Sequence, residues 1–264
     1  MSGARVYKTE AVVLRQRPLG EADRVLTLYA ADLGKFEAVA KGVRRPGSRK
    51  AGHLEPLTHV ALMLARGRNL DIITQAEARD TFLPLRADVQ RLAAGLYVAE
   101  LVDRLTVEHV EGYAIFRLLV ETLARLATAA NLDLVLRFFE VNLLELVGYR
   151  PELRRCVICQ EPLRPVTNRF SPAGGGVVCP DCTPPDSGLQ PLSVTALKVL
   201  RLLQDGRYRE AAALRISPAL AAELEMHLRA YLRAYTDRDI ASQRFLTALR
   251  RESAGTAPAP AVLS

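Results

Sequence analysis

The sequence predicts an α+β protein, in which an N-terminal five-stranded β-barrel of the OB type precedes an α-helical domain carrying an inserted four-cysteine ribbon. Three observations predict it. Apolar residues alternate with period two through the first 80 residues, and from Asp88 onward they recur at helical spacing. Between helical stretches stand two close cysteine pairs, Cys156-Val157-Ile158-Cys159 and Cys179-Pro180-Asp181-Cys182. The chain is thus expected to divide into a barrel (1–80), a first helical part (81–150), the ribbon (151–188), a second helical part (189–252) and a tail (253–264). The tail, rich in Ala, Pro and Gly from Ala254 to Pro260, is expected to be disordered.

Five runs carry the barrel: Val6 to Arg17, Arg24 to Ala30, Lys35 to Lys41, Leu57 to Arg66 and Leu70 to Ala76. In the third, Phe36, Ala38 and Ala40 point one way while Lys35, Glu37 and Lys41 point the other, as a half-buried strand requires. In the fourth, Val60, Leu62 and Leu64 form the apolar face. Turn residues at Leu19-Gly20, Leu33-Gly34, Pro46-Gly47 and Gly67 to Asn69 separate the runs. Short strands at this spacing fit a small closed barrel of a kind that commonly binds nucleic-acid strands, although a barrel pattern by itself does not establish that function.

Two amphipathic helices follow, one with Val89, Leu92, Leu96 and Ala99 on its apolar stripe and one with Phe116, Leu119, Leu123 and Leu126. Leu134 to Val147 is apolar on most sides and is expected to be a buried central helix, stopped by Gly148 and kept from resuming by Pro151. After the ribbon, Ser193 caps a helix reaching Asp205-Gly206, and Ser217-Pro218 opens another with Leu220, Leu224, Leu228, Tyr231, Leu232 and Tyr235 on one stripe. No internal repeat is evident.

The cysteine spacing, C-x2-C-x19-C-x2-C, is that of a structural zinc ribbon. Two residues between paired thiolates let a tight turn aim both sulfurs at one tetrahedral Zn2+, and two such turns close the site to water. Cys156, Cys159, Cys179 and Cys182 are therefore expected to hold one structural zinc ion that performs no chemistry. Disulfides or metal-free thiols are the alternatives. Arg5, Lys8 and Glu10 interrupt any apolar stretch at the start, which points to a reducing, cytoplasmic compartment where disulfides are rare. The Gly174-Gly175-Gly176 run could cradle a phosphate, but beside Cys179 it is expected to supply the turn of a thiolate knuckle.

With 264 residues, 49% of them hydrophobic, the chain can build real cores, and no apolar run approaches the roughly 18 residues of a membrane-spanning helix. A soluble protein without a membrane partner is expected. Its net charge of +7 is uneven: residues 1–80 hold 14 basic against 9 acidic side chains, 81–150 hold 7 against 9, and 151–264 hold 15 against 11. Lys41 to Lys50, KGVRRPGSRK, contains Lys41, Arg44, Arg45, Arg49 and Lys50 and no acid, with Gly42, Pro46 and Gly47 making it a loop. Such a run could be a solvated turn. Like charges in one loop repel, however, and guanidinium groups match phosphate oxygens with paired hydrogen bonds, so phosphate contact is the favoured expectation. Arg15, Arg17, Arg24 and Lys35 on neighbouring strands are expected to assist.

Tyr7, Tyr29, Phe36 and Phe82 are candidates for base stacking or for core; Phe36, on the apolar face of its strand, is assigned to packing, and Tyr7 and Tyr29 stay open. His53, His59 and His227 are dispersed and expected at loop, strand or helix surfaces. His109-Val110-Glu111 with Cys156-Val157-Ile158-Cys159 superficially echoes the H-x-E plus P-C-x-x-C pattern of zinc deaminases. Arg155 and Val178 stand where that pattern needs proline, and one cysteine pair would be left unused. No G-x-x-x-x-G-K-[ST] loop is present, so neither a catalytic residue nor a small-molecule substrate is expected.

Several segments resemble the bacterial recombination mediator family RecO. Gly20 to Lys35, GEADRVLTLYAADLGK, looks like that family's first hairpin, and Ala40 to Pro56, AKGVRRPGSRKAGHLEP, like its basic barrel loop. LYVAELVDRL, Leu96 to Leu105, and RFFEVNLLELVGYRPEL, Arg137 to Leu153, are similar to its helical segments; the cysteines follow, with Phe170-Ser171-Pro172 between the pairs. The resemblance runs in order from residue 6 to about residue 250. It implies a non-catalytic, nucleoid-associated repair protein that binds single- and double-stranded DNA and anneals complementary strands. With RecR, such a protein loads RecA onto DNA coated by single-strand-binding protein, whose acidic C-terminal tail is expected to dock on the helical domain. A zinc-ribbon nucleic-acid-binding protein of transcription or translation, without annealing activity, is the competing expectation.

Overall fold

The computed structural model describes residues 6–184 and 187–236, with Ile240, Ser242, Leu246, Ala248 and Leu249 beyond them. The expected tail at 253–264 lies outside the described residues. Strands β1 (Val6–Leu19), β2 (Asp23–Ala30), β3 (Gly34–Ala40), β4 (His59–Ala65) and β5 (Asp71–Asp80) close into a barrel in the order β1-β2-β3-β5-β4. The inward alternation matches the sequence pattern: Phe36, Ala38 and Ala40 of β3 and Val60, Leu62 and Leu64 of β4 are buried in one core with Ala11 and Val13 of β1.

β1 from Ala11 to Leu14 and β2 from Val25 to Ala30 are buried on both faces. Val12, Leu14 and Tyr29, on the outer side of the barrel, belong to the core of the helical part instead. Each Val or Leu side chain so buried contributes about 1.5–3 kcal/mol, which makes the barrel and the helices a joined body instead of beads on a hinge. β3 meets β5 in parallel only at Ala38↔Asp71 and Val39↔Ile72. Beside the rest of β3 runs the connector 106–112: Lys35 and Glu108 form a parallel bridge, the His109 N–H donates to Lys35 O (2.9 Å) and the Gly112 N–H to Ala31 O (3.3 Å). A Cβ at Gly112 would overlap the Tyr29 hydroxyl, so only glycine lets the connector pass this close.

The helical part comprises α1 (Leu83–Arg86), α2 (Val89–Leu105), α3 (Tyr113–Thr128) and α4 (Leu132–Leu146), then after the ribbon α5 (Val194–Gln204), α6 (Tyr208–Ala212) and α7 (Pro218–Tyr235). Side-chain oxygens of Asp88, Asn131, Ser193 and Ser217 cap α2, α4, α5 and α7 by accepting from N–H groups of the first turn. Gly148, at φ +85°, ends the α4 segment as expected. The stripe on α3 is seen, with Leu119, Leu123 and Leu126 fully buried. The stripe on α2 is a correction. Ala99 is buried and Leu92 and Leu96 pack partly buried against the core, but Val89 is exposed, and the buried set runs Ala93, Ala94, Gly95, Tyr97, Val98, Ala99, Leu101, Val102 and Leu105, because barrel, α1, α3 and α4 surround the helix on several sides.

α4 is the central helix, buried from Leu134 to Leu144 except at Asn142. Its interior holds an ion pair that hydropathy does not reveal: Arg137 Nη2 lies 2.6 Å from Glu140 Oε1, with both side chains almost wholly buried. The Tyr97 hydroxyl donates to the same oxygen (2.7 Å), and Glu225 of α7 stands 4.0 Å from Arg137. Among the described residues no helix is long and apolar enough to cross a membrane.

Candidate metal centre and nucleic-acid interface

The ribbon is a three-stranded sheet, β7-β6-β8, built from β6 (Asn168–Ser171), β7 (Gly176–Val178) and β8 (Gln190–Leu192). Each cysteine pair sits in a tight turn: the Gln160 N–H donates to Cys156 O (2.9 Å) and the Cys182 N–H to Cys179 O (3.2 Å). The glycine triplet is a correction: it makes the β6–β7 turn, with Gly175 at φ +79° donating to Pro172 O (3.3 Å), and a close approach where a Cβ at Gly176 would strike the Glu152 backbone, while the Cys179 knuckle turns at Pro180 and Asp181.

All four cysteines are free thiols, and their sulfurs lie within 4.8 Å of one another. Cys159 and Cys179 sulfurs are 3.9 Å apart. A tetrahedron with metal–sulfur bonds of about 2.3 Å has edges of about 3.8 Å, so the cluster has the dimensions of a four-thiolate site. Cys156 Sγ accepts from the N–H groups of Ile158 (3.5 Å) and Cys179 (3.4 Å). Burial pushes the Cys156 thiol up, but these N–H groups and that of Cys159 outweigh it and bring the group to about 6. Cys182 is pushed to about 12 by its hydrogen bonds with Cys159 and Cys179, and burial raises Cys179. Sulfurs this close hold protons between them, and a divalent cation at the centre would take the place of those protons. The four residues fit a metal ion.

The basic loop leaves β3 and stays on the barrel, with Val43 buried in its core and the Arg44 N–H donating to Ala22 O (2.9 Å). Lys41, Arg44, Arg45 and Arg49 are exposed, with Lys50 partly so. Two of the five touch backbone: Arg44 donates to Gly20 O (3.2 Å) and Lys50 to Ile73 O (3.1 Å). No acidic side chain of the described residues pairs with any of the five. The four strand cations differ. Arg17 pairs with Glu37 (3.0 Å), and Arg15 with Glu37 (3.6 Å) and Asp103 of α2 (2.8 Å). Arg24 pairs with Glu55 (3.1 Å). Lys35, largely buried, donates to the Asp103 carbonyl and lies 3.5 Å from its carboxylate. Glu37, Glu55 and Asp103 are the countercharges that the sequence pattern does not assign; the alternation that puts Glu37 on the face of Lys35 is the available signal for the first.

Tyr29 is buried between barrel and helices, which settles it as core, and Phe36 and Phe82 are buried as well. Tyr7 is partly buried, donates to Asp71 (2.5 Å) and lies under the Arg66 guanidinium at 4.4 Å. His53 accepts from the Ala78 N–H (3.1 Å), and His109 sits in the connector at φ +58°. His227 is a correction: it is 2% exposed, packed edge-on against Phe170 with Nε2 3.0 Å from Pro191 O. Burial lowers its pKa.

A family model described as the N-terminal part of recombination protein O matches residues 1–82, and one for its C-terminal part matches residues 86–244. The chain is 47% identical to the DNA repair protein RecO of Roseiflexus sp. (strain RS-1), over 97% of this chain and 90% of the relative. It is 38% identical to the DNA repair proteins RecO of Dehalococcoides mccartyi, over 93% and 96% of the two chains, and of Symbiobacterium thermophilum, over 93% and 98%. With barrel, helical part and cysteine cluster all in place across that span, the chain belongs to the RecO family of DNA repair proteins.

Proposed function

We propose that this chain is a non-catalytic recombination mediator that anneals complementary DNA strands and, with RecR, helps load RecA onto DNA coated by single-strand-binding protein. The observation that carries it is the barrel loop, whose exposed Lys41, Arg44, Arg45 and Arg49 have no acidic partner among the described residues. Backbone phosphates of single- or double-stranded DNA are the ligand such a loop suits, and contacts of that kind give affinity without sequence preference. By neutralising phosphates the loop lowers the repulsion between two strands, so pairing proceeds without nucleotide hydrolysis. Arg15, Arg17 and Arg24 lend weaker support, because a phosphate must first displace Glu37, Asp103 or Glu55. Lys35 serves the joint between barrel and α2 more than a DNA path.

Cys156, Cys159, Cys179 and Cys182 would hold one Zn2+, which supplies a cross-link to a module whose own core is only a few residues around Cys156, Val178 and Cys179. The acidic tail of single-strand-binding protein docks on the helical part in this reading, and the protein works in the cytoplasm at the nucleoid. A zinc-ribbon protein of transcription or translation would bind nucleic acid equally well. Annealing of complementary oligonucleotides, bare and precoated with single-strand-binding protein, separates the two. Faster pairing on coated strands, stimulated by RecR, is the expected result; binding without pairing would sink the proposal.

A further inference from the structure

Past α4 the chain turns at Gly148 and presents Tyr149, which is 42% exposed although its ring is held from one side. Tyr149 stacks on Tyr235 of α7 at 4.5 Å and 28°, Tyr235 rests on Tyr231 at 4.9 Å, and Tyr231 on Phe170 of the ribbon at 5.7 Å. The ladder fixes the outermost ring without burying it. Exposed Arg150, Arg154 and Arg155 follow within six residues. Glu152, the one acid among them, spends its carboxylate on the N–H groups of Arg154 (2.6 Å) and Arg155 (3.0 Å). The arginine heads rest in exposed contacts, Arg150 on Glu145 (2.8 Å), Arg154 on Asp205 (2.8 Å) and Arg155 on Gln160 O (2.9 Å); Arg155 forms no ion pair among the described residues, and a phosphate must displace Glu145 and Asp205 to reach the other two, exposed pairs that cost little to break.

Proteins that hold single strands without reading sequence combine a supported aromatic face with guanidinium groups, bases stacking on the ring and arginines taking the phosphates; here the ring and three exposed arginines follow one another within seven residues of chain. We propose that this junction of α4 and ribbon is a second single-stranded DNA site, with Tyr149 stacking on a base and Arg150, Arg154 and Arg155 holding flanking phosphates. The inference rests on the annealing proposal, because pairing needs two strands on one protein and the barrel loop accounts for one.

The test uses the full chain and two short, non-complementary oligodeoxynucleotides, one carrying a donor dye and one an acceptor, so that energy transfer reports both strands on one protein. Tyr149→Ala should weaken uptake of the second strand about tenfold, as loss of one stacked base does, while Tyr149→Phe retains it. Arg150→Gln, Arg154→Gln and Arg155→Gln together should flatten the salt dependence of that step by about 2 in log–log slope, at about 0.7 per phosphate. Affinity for the first strand and the melting temperature should stay as in the wild type. A wild type that never takes a second strand, or variants that take it as well as wild type, would overturn the site. Two-strand binding lost in the variants but never followed by pairing of complementary strands would keep the site and defeat the annealing proposal instead.

Discussion

Replacing Glu140 by Gln should destabilise the helical part far more than a shape-preserving change usually does. Glu140 accepts from Arg137 at 2.6 Å and from Tyr97 at 2.7 Å, with the carboxylate and guanidinium side chains 1% and 3% exposed. In the variant Arg137 keeps its charge, and its nearest remaining carboxylate is Glu225 at 4.0 Å. Stranding one member of a buried pair costs about 3–5 kcal/mol. For a unit of this size each kcal/mol moves the melting point about 2–4 °C, so a fall of about 6–20 °C is expected. Calorimetry, or circular dichroism at the helical signal, measures it. Removing the buried cluster with Tyr97→Phe, Arg137→Met and Glu140→Leu takes away both fully buried charges, leaving Glu225 with its partial exposure, and should restore melting to within about 2 °C of wild type. A fall below about 2 °C in Glu140→Gln, or a triple variant as unstable as the single one, would refute the reasoning.

Three further outcomes follow from the site and its supports. Cys159→Ser should reduce bound zinc below one per chain and make the remaining thiols react rapidly with a thiol reagent, while the helical circular dichroism signal changes little; full zinc content in the variant would contradict the four-thiolate assignment. Changing Arg44, Arg45 and Arg49 to Ala should flatten the log–log salt dependence of single-strand binding by about 2, equally on two unrelated oligonucleotides, with melting unchanged; an unchanged slope would make the loop a solvated turn. His227 is buried with its pKa lowered, and Glu223 at 4.0 Å, the nearest facing carboxylate, does not reverse the burial. The unfolded chain therefore binds a proton that the native state refuses, so stability should fall as pH drops below the ordinary histidine value of about 6.5 and level off once the native group protonates. His227→Gln should lose that part of the pH dependence, which melting curves across the range would show.

The barrel was legible because one-sided burial forces alternation: Phe36, Ala38 and Ala40 had to share a face, and they do. The cysteine cluster was legible because two-residue spacing constrains sulfurs covalently. The buried face of α2 was legible only in part, since Tyr97, Val98, Leu101 and Val102 are buried on one side and Ala93, Ala94, Gly95 and Ala99 let neighbours approach on others, so no single stripe describes it. The pairing of Arg15 and Lys35 with Asp103 spans 88 and 68 positions, a separation no local pattern reports. His227 and Arg137 defeated hydropathy because each is polar by composition and yet buried: His227 is satisfied by the distant Pro191 carbonyl, Arg137 by Glu140 three positions on in its own helix, with Tyr97 joining from α2.

The connector at 106–112 changes what counts as a separable piece. The two family matches meet between residues 82 and 86, which invites expression of the first part alone. A fragment ending there would lose the N–H donors that His109 and Gly112 extend to Lys35 and Ala31, and it would bare Tyr29, Val12 and Leu14 to water. An unsatisfied strand margin beside fresh apolar surface is a template for another chain to add itself. The N-terminal fragment is thus expected to self-associate, and swapping barrels between relatives should succeed only when the donor barrel travels with its own segment through Gly112.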